Sequence, residues 1–414
     1  MAAQPMNPIA DVLVIGAGPA GINAAFALAQ AGIDYRIIER TQTLAPTWGN
    51  LYPSLRLNTS RFYSHLPGRK FPLHWGMYAT ARQYHQHLVA WTAEQQLPIE
   101  YGMEVYRVAP RRDGCWQVES SEGTHSYRAV IPATGVFDNP QLPQIEGLSD
   151  FGGEIIHSRD FRDPRQVRGK RVLVVGNGPS GTDIAVAAGP EAAGGFVWLS
   201  IRSGVDSRPR YPYGFPRHLW MLLGEQLPAK FCAWLQRHTG AIEYNQAEFG
   251  LWSAPAQTGS AVGYRGPELL NALREGQVVP ARHPLRFHAR GAALADGKQL
   301  ELDMVIMATG YLPVLHQYLD IDMQFSQAVV YPEAGCDWDI GPNGARGWPL
   351  RDTSQHPNGR QILGHPGLYL VGVFYKGRGA FYNMGVEAQI AADQLRAHLK
   401  RRHFPTTVPC AAAI

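Results

Sequence analysis

Two stretches of this chain follow one grammar: DVLVIGAGPAG near the start and KRVLVVGNGPSG from residue 170. Each runs a short apolar strand into three glycines spaced GxGxxG and then into an apolar helix, INAAFALAQ after the first and TDIAVAAG after the second. A strand that turns at once into a helix lying against it makes three separate demands. The turn needs a tight backbone (Gly16, Gly176), the approach of a ligand needs a bare one (Gly18, Gly178), and close packing of helix on strand excludes a side chain (Gly21, Gly181). The helix N-terminus then offers positive partial charge to an anion. The next strand after the first loop, YRIIE, ends at Glu39, an acid placed to accept hydrogen bonds from an adenosine ribose. Strand, loop, helix, strand and acid in register predict a dinucleotide site, a far more specific signal than three glycines alone.

The second copy departs from the first where its next strand ends. FVWLSIRSG carries Arg202 and Ser203 in place of an acid. A carboxylate there would repel a 2′-phosphate, whereas a guanidinium can fork onto one, so NADPH is favoured over NADH. An ordinary surface arginine at a strand end is the alternative.

Between and after these loops, strand-length apolar runs alternate with helix-like segments, which predicts an α/β fold with mostly parallel sheets: two nested Rossmann-like domains. VIPATGVFDNP (130–140) and MVIMATGYLP (304–313) each run a strand into Ala-Thr-Gly and bracket the second loop. The expected division is a discontinuous first domain, 1–162 and 300–414, with the second domain at 163–299. GLYLVGVF and VEAQIAADQLRAHL read as the last strand and helix of the first domain.

Composition excludes several other classes. With 414 residues, 45% hydrophobic and 17% charged, the chain can bury a sizeable core. A net charge of +4 without long basic runs gives no footprint for nucleic acid. Cys115, Cys232, Cys336 and Cys410 stand far apart with no CxxC, and read as reduced thiols with no metal site. No apolar run approaches the roughly 18 residues of a membrane span, so a cytoplasmic, unanchored protein is expected.

Just upstream of the second loop lies FGGEIIHSRDF, with Phe151, Gly153, His157 and Phe161 in the pattern FxGxxxHxxxF. Together with both glycine loops and the late ATGY, this motif resembles class B flavoprotein monooxygenases, and the likeness to bacterial flavin-containing monooxygenases covers nearly the whole chain in the family's order. Baeyer-Villiger members usually end the motif in Trp followed by Pro or Asp. Phe161 departs from that and favours the branch that oxidises heteroatoms.

The resemblance implies FAD at the first loop and NADPH at the second. FAD is reduced by NADPH, O2 adds to give a flavin hydroperoxide, and one oxygen atom passes to a soft nucleophile such as an amine nitrogen or a sulfide sulfur of a small-molecule substrate. Pro19, Ala20, Arg40 and Trp48 join Gly16, Gly18, Gly21 and Glu39 as expected cofactor contacts. Pro179, Ser180, Ala308, Thr309 and Gly310 join Gly176, Gly178, Gly181, Arg202 and Ser203. Asn58, in LRLNTSRFYSHLP, falls where the family places a flavin-facing amide. A neutral amide suits an oxygenated flavin, because a strong acid would expel peroxide. An Asx turn before Thr59 and Ser60 is the structural alternative. His157 is expected to hold the junction between domains and not to act as a base, with a purely structural role as the alternative.

The segment 205–262, rich in aromatic residues and proline, could roof a substrate cavity, form a contact in a homodimer or simply pack. Disulfide reductases share the nested plan but need a redox cysteine pair beside the flavin, and none is spaced for it here. Baeyer-Villiger oxidation of a ketone is the runner-up chemistry and oxidative decarboxylation of an indole keto acid a third. A nucleotide-binding redox sensor is the non-enzymatic alternative.

Overall fold

The computed structural model describes residues 10–401 apart from 136, 138, 203, 205–206, 209, 229, 232–233, 235–237, 239–245, 253–263, 266, 313, 325–348, 353, 355–358 and 373–378. Its frame is two parallel sheets, one behind each glycine loop. The first has the order Ile99–Tyr101, Tyr35–Glu39, Val12–Ile15, Ala129–Pro132, with Val12 opposite both Tyr35 and Ala129. Beyond it, Val130 bridges to Leu368 in the GLYL stretch. Val12–Ile15 is buried at every position, as expected for a central parallel strand covered on both faces.

The helix Pro19–Gln30 packs against the C-terminal helix Ala380–Arg401. Ala24, Ala27, Ala388, Ala391 and Ala392 are all buried, and such small side chains let two helix backbones approach closely. The helix Ala81–Glu94 is started by a capping box, in which Thr80 accepts from the Gln83 N–H and Gln83 accepts in return from the Thr80 N–H. Its Tyr84, Leu88 and Trp91 recur at helical spacing and close the core of the first domain.

The second sheet has the order Val278–Arg282, Val197–Ile201, Val172–Val175, Met304–Met307, Glu154–His157, again all parallel. Here the structure divides the chain differently from the sequence expectation. The strands Glu154–His157 and Met304–Met307 fall on the first-domain side of boundaries drawn at 162 and 300, yet both hydrogen-bond within the second sheet. A buried run such as MVIM records that a strand is covered on both faces and says nothing of which sheet covers it. Within the described part of the insertion, Ser207–Arg208 pairs with Tyr264–Arg265 and a helix spans Arg217–Glu225. Among the described residues, no helix is long and apolar enough to cross a membrane.

Candidate functional site

The two glycine loops are built alike down to single atoms. Gly16 has φ +101°, and a Cβ there would lie 2.8 Å from the carbonyl oxygen of Ala133. Gly176 has φ +110°, and its Cβ would lie 2.4 Å from the carbonyl oxygen of Ala308. A Cβ on Gly21 would stand 1.8 Å from the Gly16 carbonyl oxygen, and one on Gly181 1.9 Å from that of Gly176. These four glycines are forced by backbone and packing alone.

Gly18 and Gly178 differ from them. Both have ordinary extended backbone, and a Cβ on either would meet nothing within 4 Å. Each is the N-cap of its helix with no side-chain cap, and Pro19 or Pro179 opens the first turn. A bare backbone facing open space at an uncapped helix N-terminus fits a pyrophosphate, whose oxygens would accept the orphan N–H groups.

Glu39 is buried at the end of its strand. Its Oε2 accepts the N–H of Ala17 at 2.9 Å, while Oε1 accepts the Thr41 N–H at 2.9 Å and the Thr41 hydroxyl at 3.0 Å. The carboxylate is thereby fixed against the first loop, where a ribose held at that loop would reach it. Ala20 lies beneath Gly372, whose Cβ would come within 2.6 Å of it. Arg40 is exposed. Trp48 is half-buried, edge-on to Tyr84 at 4.8 Å and to Phe381 at 5.3 Å. At the second loop, Asn177 donates to the Gly204 carbonyl at 2.7 Å, tying loop to strand end, and Arg202 is exposed there. Ser180 is half-buried in the first turn of its helix, and Ser203 lies outside the described residues.

Ala308, Thr309 and Gly310 lie across the second loop as Ala133, Thr134 and Gly135 lie across the first. The earlier triplet was missing from the expected contacts, although the repeated Ala-Thr-Gly was the signal for it. Gly310, just past the strand Met304–Met307, also draws contacts from two earlier segments. Its carbonyl accepts the Gln141 N–H at 2.9 Å and Nε2 of His157 at 3.2 Å, while Thr309 donates its hydroxyl to the Gln141 carbonyl. His157 is buried, and its Nδ1 accepts the Arg159 N–H at 3.1 Å, so the ring is neutral with its proton on Nε2. Burial holds its pKa below the ordinary value. The flanking motif residues anchor the bend: Phe151 packs on Phe287 at 5.8 Å and Phe161 edge-on to Tyr52 at 5.4 Å. A Cβ on Gly153 would overlap the Phe151 ring at 2.5 Å.

Asn58 is exposed, and its Oδ1 accepts from Nη2 of Arg210 at 3.5 Å. Beside it, the Ser60 N–H reaches Nδ1 of His218 at 3.4 Å. Arg210 is buried and also ion-pairs with Glu268 at 2.7 Å. Asp183, on the helix that starts at Pro179, feels both: burial pushes its carboxyl up to about 7, Arg210 draws it down and Glu268 raises it further. The Tyr52 phenol is held well above its ordinary pKa by burial and then by Asp183 and Tyr311. Sequence reasoning missed this polar group, since no local motif links residues 152 positions apart such as Asn58 and Arg210.

A family model described as pyridine nucleotide-disulphide oxidoreductase matches residues 13–208, the span that holds both loops and the His157 motif. The probable indole-3-pyruvate monooxygenase YUCCA3 of Arabidopsis thaliana is 28% identical over 388 residues, 88% of this chain and 82% of its own. The chain is similar over most of its length to flavin-dependent monooxygenases of this kind. A flavin-containing monooxygenase from Stenotrophomonas maltophilia shares its fold at a TM-score of 0.66, with 22% identity, over 94% of this chain and 99% of that one. A solved structure of OTEMO in complex with FAD and NADP gives a TM-score of 0.65 at 20% identity, covering 96% of this chain and 87% of that one. The nested pair of dinucleotide folds is thus common to this chain and these monooxygenases.

Proposed function

We propose that the protein is an FAD- and NADPH-dependent monooxygenase that transfers one oxygen atom from O2 to a small organic acceptor, with an amine nitrogen or sulfide sulfur as the preferred centre. The observation that carries this reading is the pair of bare, uncapped loops at Gly18 and Gly178, set in a homologue of flavin monooxygenases. The bound flavin supplies the two-electron chemistry and the activation of oxygen. The chain supplies placement. Glu39 orients the adenosine end of FAD, and Arg202 is the cation available at the strand end to fork onto a 2′-phosphate. His157 fixes Gly310, and through it the approach of the second domain to the first. Asn58 offers a neutral amide where a stronger acid would protonate and release peroxide.

A second reading of the acceptor rests on the names of the curated relatives. Several indole-3-pyruvate monooxygenases match at 25–28% identity over most of both chains, which favours a 2-oxo acid that loses carbon dioxide. One experiment ranks the possibilities: NADPH consumption and product formation with a thioether, a tertiary amine, a cyclic ketone and an aryl 2-oxo acid under identical conditions. Oxygenated thioether or amine in excess supports the first reading, and decarboxylated product the second. NADPH oxidation that yields only hydrogen peroxide with all four would reduce the protein to a flavoprotein reductase.

A further inference from the structure

Arg210 carries more donors than its partners use. Only 8% of it is exposed. Nη1 donates to Glu268 Oε1 at 2.7 Å and Nη2 makes a long contact of 3.5 Å to Asn58 Oδ1. Nε is buried with no partner among the described residues. The residue is held in place by Tyr78, whose ring lies 4.9 Å from the guanidinium carbon and whose hydroxyl donates to the Arg210 carbonyl at 3.3 Å.

The edge formed by Nε and Nη2 presents two parallel N–H groups, the geometry that takes both oxygens of a carboxylate. Elsewhere in this chain that edge is used so. Arg171 grips Asp303 at 3.0 and 2.9 Å, Arg165 grips Asp163 at 2.8 and 2.7 Å, and Arg36 grips Glu100 at 2.8 and 2.5 Å. Those three pairs lie near the surface, where water could stand in for the carboxylate. At Arg210 the Nε of that edge is buried without an acceptor among the described residues, and such a donor is costly to keep. We propose that the Nε–Nη2 edge of Arg210 is a receptor for a carboxylate group on the oxygen-accepting substrate.

The surroundings suit such a ligand. Asp183 makes no hydrogen bond to the guanidinium, and burial raises its carboxyl to about 7, so it does not take the edge. The Tyr52 hydroxyl, within the electrostatic reach of Asp183, is also buried without a partner among the described residues. The contact with Asn58 places Arg210 beside the residue assigned to the flavin face. The dinucleotide phosphates are assigned elsewhere, to the bare backbone at Gly178 and the exposed Arg202. The inference rests on the monooxygenase reading and narrows its substrate to a carboxylate-bearing class, of which a 2-oxo acid is one member.

The test uses the full-length, FAD-loaded enzyme and calorimetric titration with phenylpyruvate, its neutral methyl ester and NADP+. Wild type is expected to bind the acid at least about tenfold more tightly than the ester. Losing the charge-assisted fork in Arg210→Met should weaken the acid by about tenfold to a hundredfold and leave the ester and NADP+ unchanged. Arg210→Lys should recover only part of the affinity, because an ammonium keeps the charge without the fork. If Arg210→Met fails to retain FAD, the comparison of wild type with Arg210→Lys decides alone. Equal binding of acid and ester by wild type overturns the proposal. So does weakened NADP+ with unchanged phenylpyruvate, which would give the edge to a dinucleotide phosphate. A wild-type enzyme that oxidises NADPH with O2 yet ignores the carboxylate refutes this inference alone, whereas loss of both FAD binding and NADPH oxidation refutes the reading beneath it.

Discussion

Gly18→Ala separates cofactor binding from folding. Its φ of −78° is open to alanine, and the added methyl meets nothing within 4 Å. Two small effects on stability oppose each other. Alanine is a poorer N-cap than glycine, at a cost of about 0.5 to 1 kcal/mol, while the stiffer unfolded chain returns about 0.4 to 1 kcal/mol. The apoprotein should therefore keep its stability to within about 1 kcal/mol. Gly21→Ala is the contrast, because its methyl would sit 1.8 Å from the Gly16 carbonyl oxygen and must push helix from strand. Overpacking of that kind costs roughly 1 to 3 kcal/mol or more. FAD should report the reverse order of interest. A methyl at Gly18 would stand where the pyrophosphate meets the helix N-terminus, and one lost charge-assisted hydrogen bond of about 1.5 to 3 kcal/mol weakens FAD by roughly tenfold to a hundredfold. Urea unfolding of the apoproteins and titration of flavin fluorescence measure the two quantities independently. A Gly18→Ala protein that binds FAD like wild type, or that loses as much stability as Gly21→Ala, would falsify the cradle assignment.

Three other outcomes follow from the same geometry. Arg202→Ala should weaken NADPH by about tenfold to a hundredfold and leave NADH nearly unchanged; equal weakening of both coenzymes in direct binding would remove the 2′-phosphate role. His157→Ala removes the donor that holds the Gly310 carbonyl, and should bind FAD normally yet slow flavin reduction by NADPH in anaerobic stopped-flow records; a wild-type rate in the folded, FAD-replete variant would leave the histidine purely structural. Asp183 has its folded pKa raised from 3.8 to about 7, chiefly by burial, so its contribution to stability is full below about pH 4 and is lost as pH rises through 7. Asp183→Asn should abolish that loss, and thermal melts of the two proteins that stay parallel from pH 4 to 8 would contradict it.

What the sequence determined by itself is local. Gly16, Gly21, Gly176 and Gly181 answer demands made within a few residues of chain, a positive φ or a carbonyl oxygen in the way, and those demands leave the same letters wherever a strand turns straight into a packed helix. Glu39 was legible because strand length fixes its distance from the loop. Asn58 and His157 are singled out by the resemblance, which supplies their places in the chain but not their partners. The tertiary structure decided the rest. Met304–Met307 is buried at every position and reads as the same apolar run in either sheet, while Glu154–His157, an edge strand exposed at Glu154 and Ile155, is too short and too mixed to name its neighbour. His157 meets Gly310 across 153 residues, and Arg210 meets Asn58 across 152. The first contact follows from two strands, distant in sequence, becoming neighbours in one sheet, and the second from packing between segments far apart in the chain; neither leaves a periodicity or spacing for a sequence to display.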